Sequence, residues 1–245
     1  MTQGFIRHAD AHLGCRVKPG NDVREGNKNG MVAKLFWQDP YRTTLATRIA
    51  AVEGDVVRLE ETIFYAFSGG QESDAGTIGG RRVVEARKDK GDIIYTLEPG
   101  HGLKAGDHVT VEIDGARRHK LMRLHLAAEI ILELACQNLP GIRKIGAHIA
   151  EDKARIDFEW PENISRLFPM MQEKAGALIA ADHPIVSAYS DEANQRRYWE
   201  IEGFARVPCG GTHLKRTGEI GAVALKRVNI GKGKERIEIR VSEQR

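Results

Sequence analysis

Pro208-Cys209-Gly210-Gly211-Thr212-His213-Leu214-Lys215-Arg216-Thr217-Gly218-Glu219-Ile220-Gly221 sets a thiol and an imidazole four residues apart on a glycine-rich turn. A soft thiolate and an imidazole at that spacing can grip one zinc ion. Gly210 and Gly211 let the backbone fold tightly enough for both side chains to converge. Two protein ligands seldom hold zinc, so the rest of the chain must offer others. The best source lies upstream, in Leu121–Asn138. There, apolar residues recur at Leu121, Leu124, Ala128, Ile131, Leu132 and Ala135, which is helical spacing. His125 and Glu129 share one face of that helix at i and i+4. The metal set read from the residues is therefore His125, Cys209, His213 and Glu129. A histidine beside an apolar stripe is more often a satisfied core residue than a ligand. The companion turn at Cys209 is what promotes His125.

The 245 residues suit one large domain or two small ones, and an apolar fraction of 41% suffices for ordinary cores. With 37 basic and 34 acidic residues the net charge is +3, so any RNA-binding surface has to come from local clustering. No stretch reaches the ~18 apolar residues of a membrane span, and the N-terminus lacks the apolar core of a signal peptide. Cys15, Cys136 and Cys209 show no disulfide-like pattern, which points to a cytoplasmic protein with reduced thiols. Gly76 to Gly80 lacks the lysine of a phosphate-binding loop, so no ATP requirement is expected.

Residues 1–30 are rich in glycine and poor in apolar periodicity, and read as a disordered tail. His8, His12 and Cys15 there lack a nearby fourth ligand, and Met31 is an expected alternative start. Residues 31–118 read as short strands in a small β-barrel-like domain: Val32–Trp37, Thr43–Val52, Asp55–Leu59, Val83–Arg87, Asp92–Leu97 and His108–Ile113. Residues 119–245 read as an α+β domain with an antiparallel sheet and packed helices. It comprises the Leu121–Asn138 helix, strands near Ile145–Ala150 and Ala154–Phe158, and a second helix running to about Ala181. A strand at Pro184–Tyr189, a short charged helix from Asp191 to Tyr198 and strands over Glu219–Ile230 and Glu235–Val241 complete it.

Two further features are candidates for function. Ser68-Gly69-Gly70-Gln71 has paired glycines that would let a ligand approach the backbone, and Gln71 both donates and accepts; the plain alternative is a hairpin turn. Arg117, Arg118, Lys120 and Arg123 form the clearest basic cluster, at a helix start where cations oppose the dipole. A phosphate backbone would compensate them, and a solvated helix start is the plainer reading.

The turn Cys209-Gly210-Gly211-Thr212-His213, with Thr217-Gly218-Glu219-Ile220-Gly221 behind it, resembles the signature of the alanyl-tRNA synthetase editing domain, which also occurs as freestanding alanyl-tRNA editing proteins. Thr62-Ile63-Phe64-Tyr65, then Ser68-Gly69-Gly70-Gln71, Asp74 and Gly76, and also Arg123-Leu124-His125, fall in matching order over about residues 31–245. The resemblance implies a zinc-dependent hydrolase that deacylates tRNA(Ala) mischarged with serine or glycine, not an aminoacyl-tRNA ligase. It implies one zinc per chain, held by two helix histidines with the Cys and His of the turn. The chain departs from that pattern at Glu129, where the family carries its second helix histidine. Glu129 is then a fourth ligand or a general base. Gly69, Gly70 and Gln71 would line the substrate pocket, with Gln71 and Thr62 bonding the serine hydroxyl and Thr77 a further hydroxyl nearby. The rival reading is a non-catalytic RNA- or metal-binding module derived from the same fold.

Overall fold

The structure is a computed structural model that describes residues 31–242. The tail expected over residues 1–30, with His8, His12 and Cys15, lies outside the described residues. The described chain begins with β1 (Ala33–Lys34) and a single 3-10 turn over Leu35–Trp37. A longer strand over Val32–Trp37 was expected. Three consecutive apolar residues do not alternate, and the turn instead buries Phe36 edge-on against Trp37 and Tyr65.

Seven strands follow: β2 (Thr44–Glu53), β3 (Val56–Leu59), β4 (Glu61–Thr62), β5 (Gly76–Ile78), β6 (Arg81–Asp89), β7 (Asp92–Leu97) and β8 (His108–Ile113). β4 pairs in parallel with β1. The other six pair antiparallel in the cyclic order β2-β3-β7-β6-β5-β8, with β8 returning to β2. Each strand therefore has two neighbours, and the ring exposes no open edge. Period-two alternation selects its interior. Leu45, Thr47 and Ile49 of β2 turn inward, and the residues between them outward. Leu45 and Ile49 meet Val57, Leu59, Ile93, Tyr95, Leu97 and Val111 in one apolar cluster.

α1 (Gly115–Asn138) begins at Gly115 rather than at Leu121, because the Asp114 carboxylate caps it by accepting the Arg117 N–H at 3.0 Å. It is buried around most of its circumference. On one side lies a four-stranded antiparallel sheet in the order β14-β15-β10-β9: β9 (Arg143–Ile149), β10 (Ala154–Glu159), β14 (Val223–Asn229) and β15 (Lys234–Val241). Ile156, Phe158, Ile237 and Ile239 of this sheet form one core with Leu121, Leu124, Ala128 and Ile131. α2 (Phe168–Ala180) packs beside α1 and β14.

A three-stranded sheet, β11 (Val186–Asp191), β12 (Arg196–Ile201) and β13 (Ala205–Pro208), leads into the Cys209 turn. The helix expected over Asp191–Tyr198 is in fact the hairpin between β11 and β12. The Asp191 carboxylate accepts the Asn194 N–H and side-chain amide, making a turn rather than a helix cap. The burial of β12 has period two, with Arg197, Trp199 and Ile201 inward. Strand β14 also starts later than the Glu219 expected for it, because Thr217–Ile220 form a 3-10 turn.

The two halves are joined by Arg118, on the first turn of α1. Its guanidinium, 1% exposed, is paired with the buried Asp74 carboxylate. It also donates to the carbonyls of Ile63 (2.7 Å) and Pro40 (2.9 Å). Asp74 in turn accepts the Tyr65 N–H at 2.6 Å. This clamp fixes both ends of the segment that carries Ser68–Gln71.

Candidate metal centre

His125 of α1 and Cys209 and His213 of the turn after β13 converge: one potential ligand atom from each lies within 4.8 Å of the other two. The two imidazole rings stack with centroids 5.1 Å apart, and Cys209 Sγ is 3.5 Å from His125 Nε2. His125 Nδ1 faces the Thr212 carbonyl at 3.3 Å, so its proton belongs on Nδ1 and the lone pair on Nε2. His213 Nδ1 lies 3.0 Å from Ser187 Oγ on β11. The other nitrogen, His213 Nε2, is buried and has no hydrogen-bond partner among the described residues. A buried imidazole nitrogen without a partner costs free energy unless something fills the gap, and a metal ion would.

The electrostatics agree with that chemistry. Burial pushes both histidines toward the neutral form, further for His213, where the neighbouring His125 and Arg197 act in the same direction. Burial, and then the Glu129 charge, raise the Cys209 thiol well above its usual range. Neutral imidazoles are metal ligands as they stand, and a divalent cation would displace the thiol proton. Two imidazoles and one sulfur match the donor preference of zinc.

Glu129 stands beside this group rather than within it. Its Oε1 is 3.8 Å from His125 Nε2, and its Oε2 accepts the Trp199 indole N–H at 3.3 Å.

Gln71 reaches the centre from the other half of the chain. The Gly70 carbonyl accepts the Ile149 N–H (2.8 Å), and the Ile149 carbonyl accepts the Glu72 N–H (3.0 Å), so the loop docks on the edge of β9. Gly70 is required there. Its φ is +92°, and a Cβ would stand 2.6 Å from the Ala147 carbonyl oxygen. Gly69, with φ +62°, completes the turn. Gln71 Nε2 donates to Thr212 Oγ1 at 2.8 Å, and Gln71 Oε1 accepts the Thr212 N–H at 3.3 Å. Gly211 has no room for a side chain, since a Cβ would lie 2.7 Å from His125 Nδ1 and 2.9 Å from Gln71 Oε1.

Thr62 is buried at the end of the ring of strands, where its hydroxyl meets the Tyr95 hydroxyl at 2.7 Å and accepts the Phe64 N–H. The Thr77 hydroxyl, on β5, is buried without a partner among the described residues. In the basic cluster, Arg118 is committed to the clamp, and Arg123 is buried, donating to the carbonyls of Ile220 (2.9 Å) and Ser242. Arg117 pairs with Glu72 and Glu151, and Lys120 with Glu151. Sequence reading did not single out Thr212, Ser187 or Trp199 as supports of the site. Only the position of Thr212 between Gly211 and His213 hinted at its role.

Residues 198–238 match the family described as the threonyl and alanyl tRNA synthetase second additional domain. The chain is 33% identical to alanyl-tRNA editing protein AlaX-M of Pyrococcus horikoshii, over 85% of this chain and 97% of that protein. It is 30% identical to AlaX-M of Methanosarcina mazei, over 87% and 98% respectively. It is also 32% identical to an alanine–tRNA ligase of Methanococcus aeolicus, where 83% of this chain covers 25% of the enzyme. The Cys209 turn, the α1 histidine and a similarity that spans nearly the whole of these relatives place the chain in the family of freestanding alanyl-tRNA editing proteins.

Proposed function

We propose that the protein is a zinc-dependent trans-editing hydrolase that removes serine, or glycine, from mischarged tRNA(Ala). The observation that carries the reading is the convergence of His125, Cys209 and His213 beside a carboxylate, Glu129, and a carboxamide, Gln71. The AlaX-M relatives are named alanyl-tRNA editing proteins, which supports the editing part of this reading. No helix among the described residues is long and apolar enough to cross a membrane.

His125, Cys209 and His213 would hold the zinc, which when bound supplies a Lewis acid for the ester or an anchor for the substrate amine. Each histidine is oriented by a partner on its other nitrogen, Thr212 O or Ser187 Oγ. Glu129 accepts a proton from the water that attacks the ester carbonyl, and the Trp199 indole fixes its carboxylate for that task. The ester C–O bond then breaks, and Glu129 passes the proton to the leaving ribose oxygen, releasing the free amino acid and the ribose hydroxyl.

Discrimination falls to Gln71. After its two bonds to Thr212, its carboxamide still has one N–H and one lone pair for a serine hydroxyl. A site that bonds the hydroxyl can separate serine from alanine, which an apolar pocket does only weakly. Gly69 and Gly70 let the substrate approach the backbone beside it. Thr62 acts through the buried Tyr95–Phe64 network behind this loop. Arg117 and Lys120 are the outward part of the basic cluster, where RNA phosphates would compete with Glu151.

Serine release from Ser-tRNA(Ala) tests the proposal, with Ala-tRNA(Ala) as the spared substrate and Cys209→Ala as the inactive control. Retention of serine on the tRNA by the zinc-loaded protein would instead favour the binding-module reading.

A further inference from the structure

Next to the Cys209 turn lies a cationic and aromatic cluster that the editing reaction has so far left without a role. Arg197, on the inward face of β12, is 7% exposed. Its guanidinium donates to the Trp37 carbonyl, 3.2 Å away, and no carboxylate pairs with it among the described residues. Its guanidinium lies 4.5 Å from the centroid of Tyr189, its cross-strand neighbour on β11, and 5.4 Å from that of Trp37. A buried cation without a counter-ion is costly, and ring faces compensate only part of that cost. The cluster is tied directly to the metal-binding turn: Cys209 donates its N–H to the Arg197 carbonyl at 2.9 Å, and Trp37 Nε1 donates to the Gly210 carbonyl at 2.9 Å.

Two lysines extend the positive charge toward solvent. Lys34 is held by the Gly91 carbonyl (2.6 Å) and Gln195 Oε1 (2.5 Å), with its ammonium 4.9 Å from the Trp37 ring. Burial, and then the charge of Lys88, bring its pKa down to about 8 against the opposing pull of Asp92. Asp92 itself is engaged by Arg58 and the Val32 N–H. Lys88, on β6, has no hydrogen-bond or ion-pair partner among the described residues. It is exposed to solvent, and its charge acts on both Lys34 and Cys209. Tyr189, 37% exposed, is one of the few large apolar side chains at the surface, and its ring stands edge-on to Trp37 at 6.1 Å.

An uncompensated cationic group with an accessible ring at its side fits a nucleotide, whose phosphate is an anion and whose base is a π-face. We propose that Arg197 and Lys88 bind a phosphate at the 3′ end of the RNA and that Tyr189, backed by Trp37, stacks on the terminal base. The esterified ribose is thereby delivered to the Cys209 turn. This inference rests on the editing reading for the identity of the RNA, but not for its test.

The test is a fluorescence-anisotropy titration of the zinc-loaded full chain with two uncharged tRNA(Ala) acceptor hairpins, one complete and one lacking the terminal adenylate. Loss of the adenylate is expected to weaken wild-type binding about tenfold. Lys88→Ala and Tyr189→Ala should each weaken binding of the complete hairpin by about the same factor and leave binding of the shortened one unchanged. Lys88→Ala should also reduce the slope of log affinity against log salt by about one phosphate contact, and Lys88→Arg and Tyr189→Phe should restore wild-type behaviour. Equal weakening on both hairpins, or none on either, overturns the inference. Serine release by the wild type, measured in parallel, judges the editing reading alone. An inactive enzyme that still shows the adenylate-dependent losses keeps the nucleotide site and rejects the hydrolase.

Discussion

Gln71 and Thr212 are 141 positions apart, yet their bonds are reciprocal: the carboxamide donates to the hydroxyl at 2.8 Å and accepts the backbone N–H at 3.3 Å. This contact latches the loop that follows the β4 segment to the Cys209–His213 turn. Both groups are buried, so breaking one side leaves the other without a partner. Gln71→Ala and Thr212→Val are each expected to destabilise the protein by about 1–3 kcal/mol. The double variant should fall short of the sum by roughly 0.5–3 kcal/mol, because the two share one interaction. Urea unfolding of the four proteins measures the coupling, and strict additivity would mean the latch is not energetic.

Gly211→Ala tests close packing rather than backbone strain. The added methyl would overlap the His125 imidazole and the Gln71 carboxamide. Overpacking of this kind costs about 1–3 kcal/mol. The expected result is a lower melting temperature together with reduced zinc content. Gly210→Ala is the matched control, since open space surrounds that position, and it should behave nearly as wild type.

Ser187→Ala removes the partner of His213 Nδ1 and touches no ligand atom. Loss of such an orienting group typically lowers metal affinity about 10–100-fold. Competition with a chromophoric chelator reads this directly. Cys209→Ala, which removes a ligand, should lose more, and an unchanged affinity in Ser187→Ala would mean the hydroxyl does not orient the ring.

Asp157 is expected to contribute to acid stability. Burial by itself would raise its carboxyl pKa, but the hydrogen bond from Arg236 and the charges of Arg155 and Arg236 outweigh this and hold it below the usual range. A depressed folded-state pKa stabilises the protein above the ordinary carboxylate pKa of about 4. That contribution disappears as pH falls through the lower folded value. Asp157→Asn should therefore cost about 1–3 kcal/mol near neutral pH. It should also unfold less steeply than wild type below about pH 4. Parallel acid-denaturation curves would show that Arg155 and Arg236 do not act on this carboxyl.

Much of this protein could be read from the chain itself. The Cys209–His213 spacing between paired glycines and the helical recurrence from Leu121 to Ala135 announced a thiol-imidazole site and the helix facing it, because both are local patterns. The strands of the first half were legible from alternation, as with Leu45, Thr47 and Ile49. Asp191–Tyr198 was misjudged because an aspartate before a charged run suits a helix cap and a hairpin turn equally well. The partnering of Tyr189 with Arg197 across the hairpin decided between them.

The sequence by itself determined the donors: which residue types could bind a soft cation, and that two distant segments carried them. Only the tertiary structure decided what surrounds those donors. It buried Arg118 and Arg123 among protein acceptors, drew Gln71 onto Thr212, set Glu129 beside the His125, Cys209 and His213 group, and left Arg197 without a carboxylate partner among the described residues. The physical reason is that donor chemistry belongs to a residue, whereas burial, charge compensation and hydrogen-bond satisfaction belong to its neighbours. Those neighbours come from parts of the chain that meet only once both cores have formed.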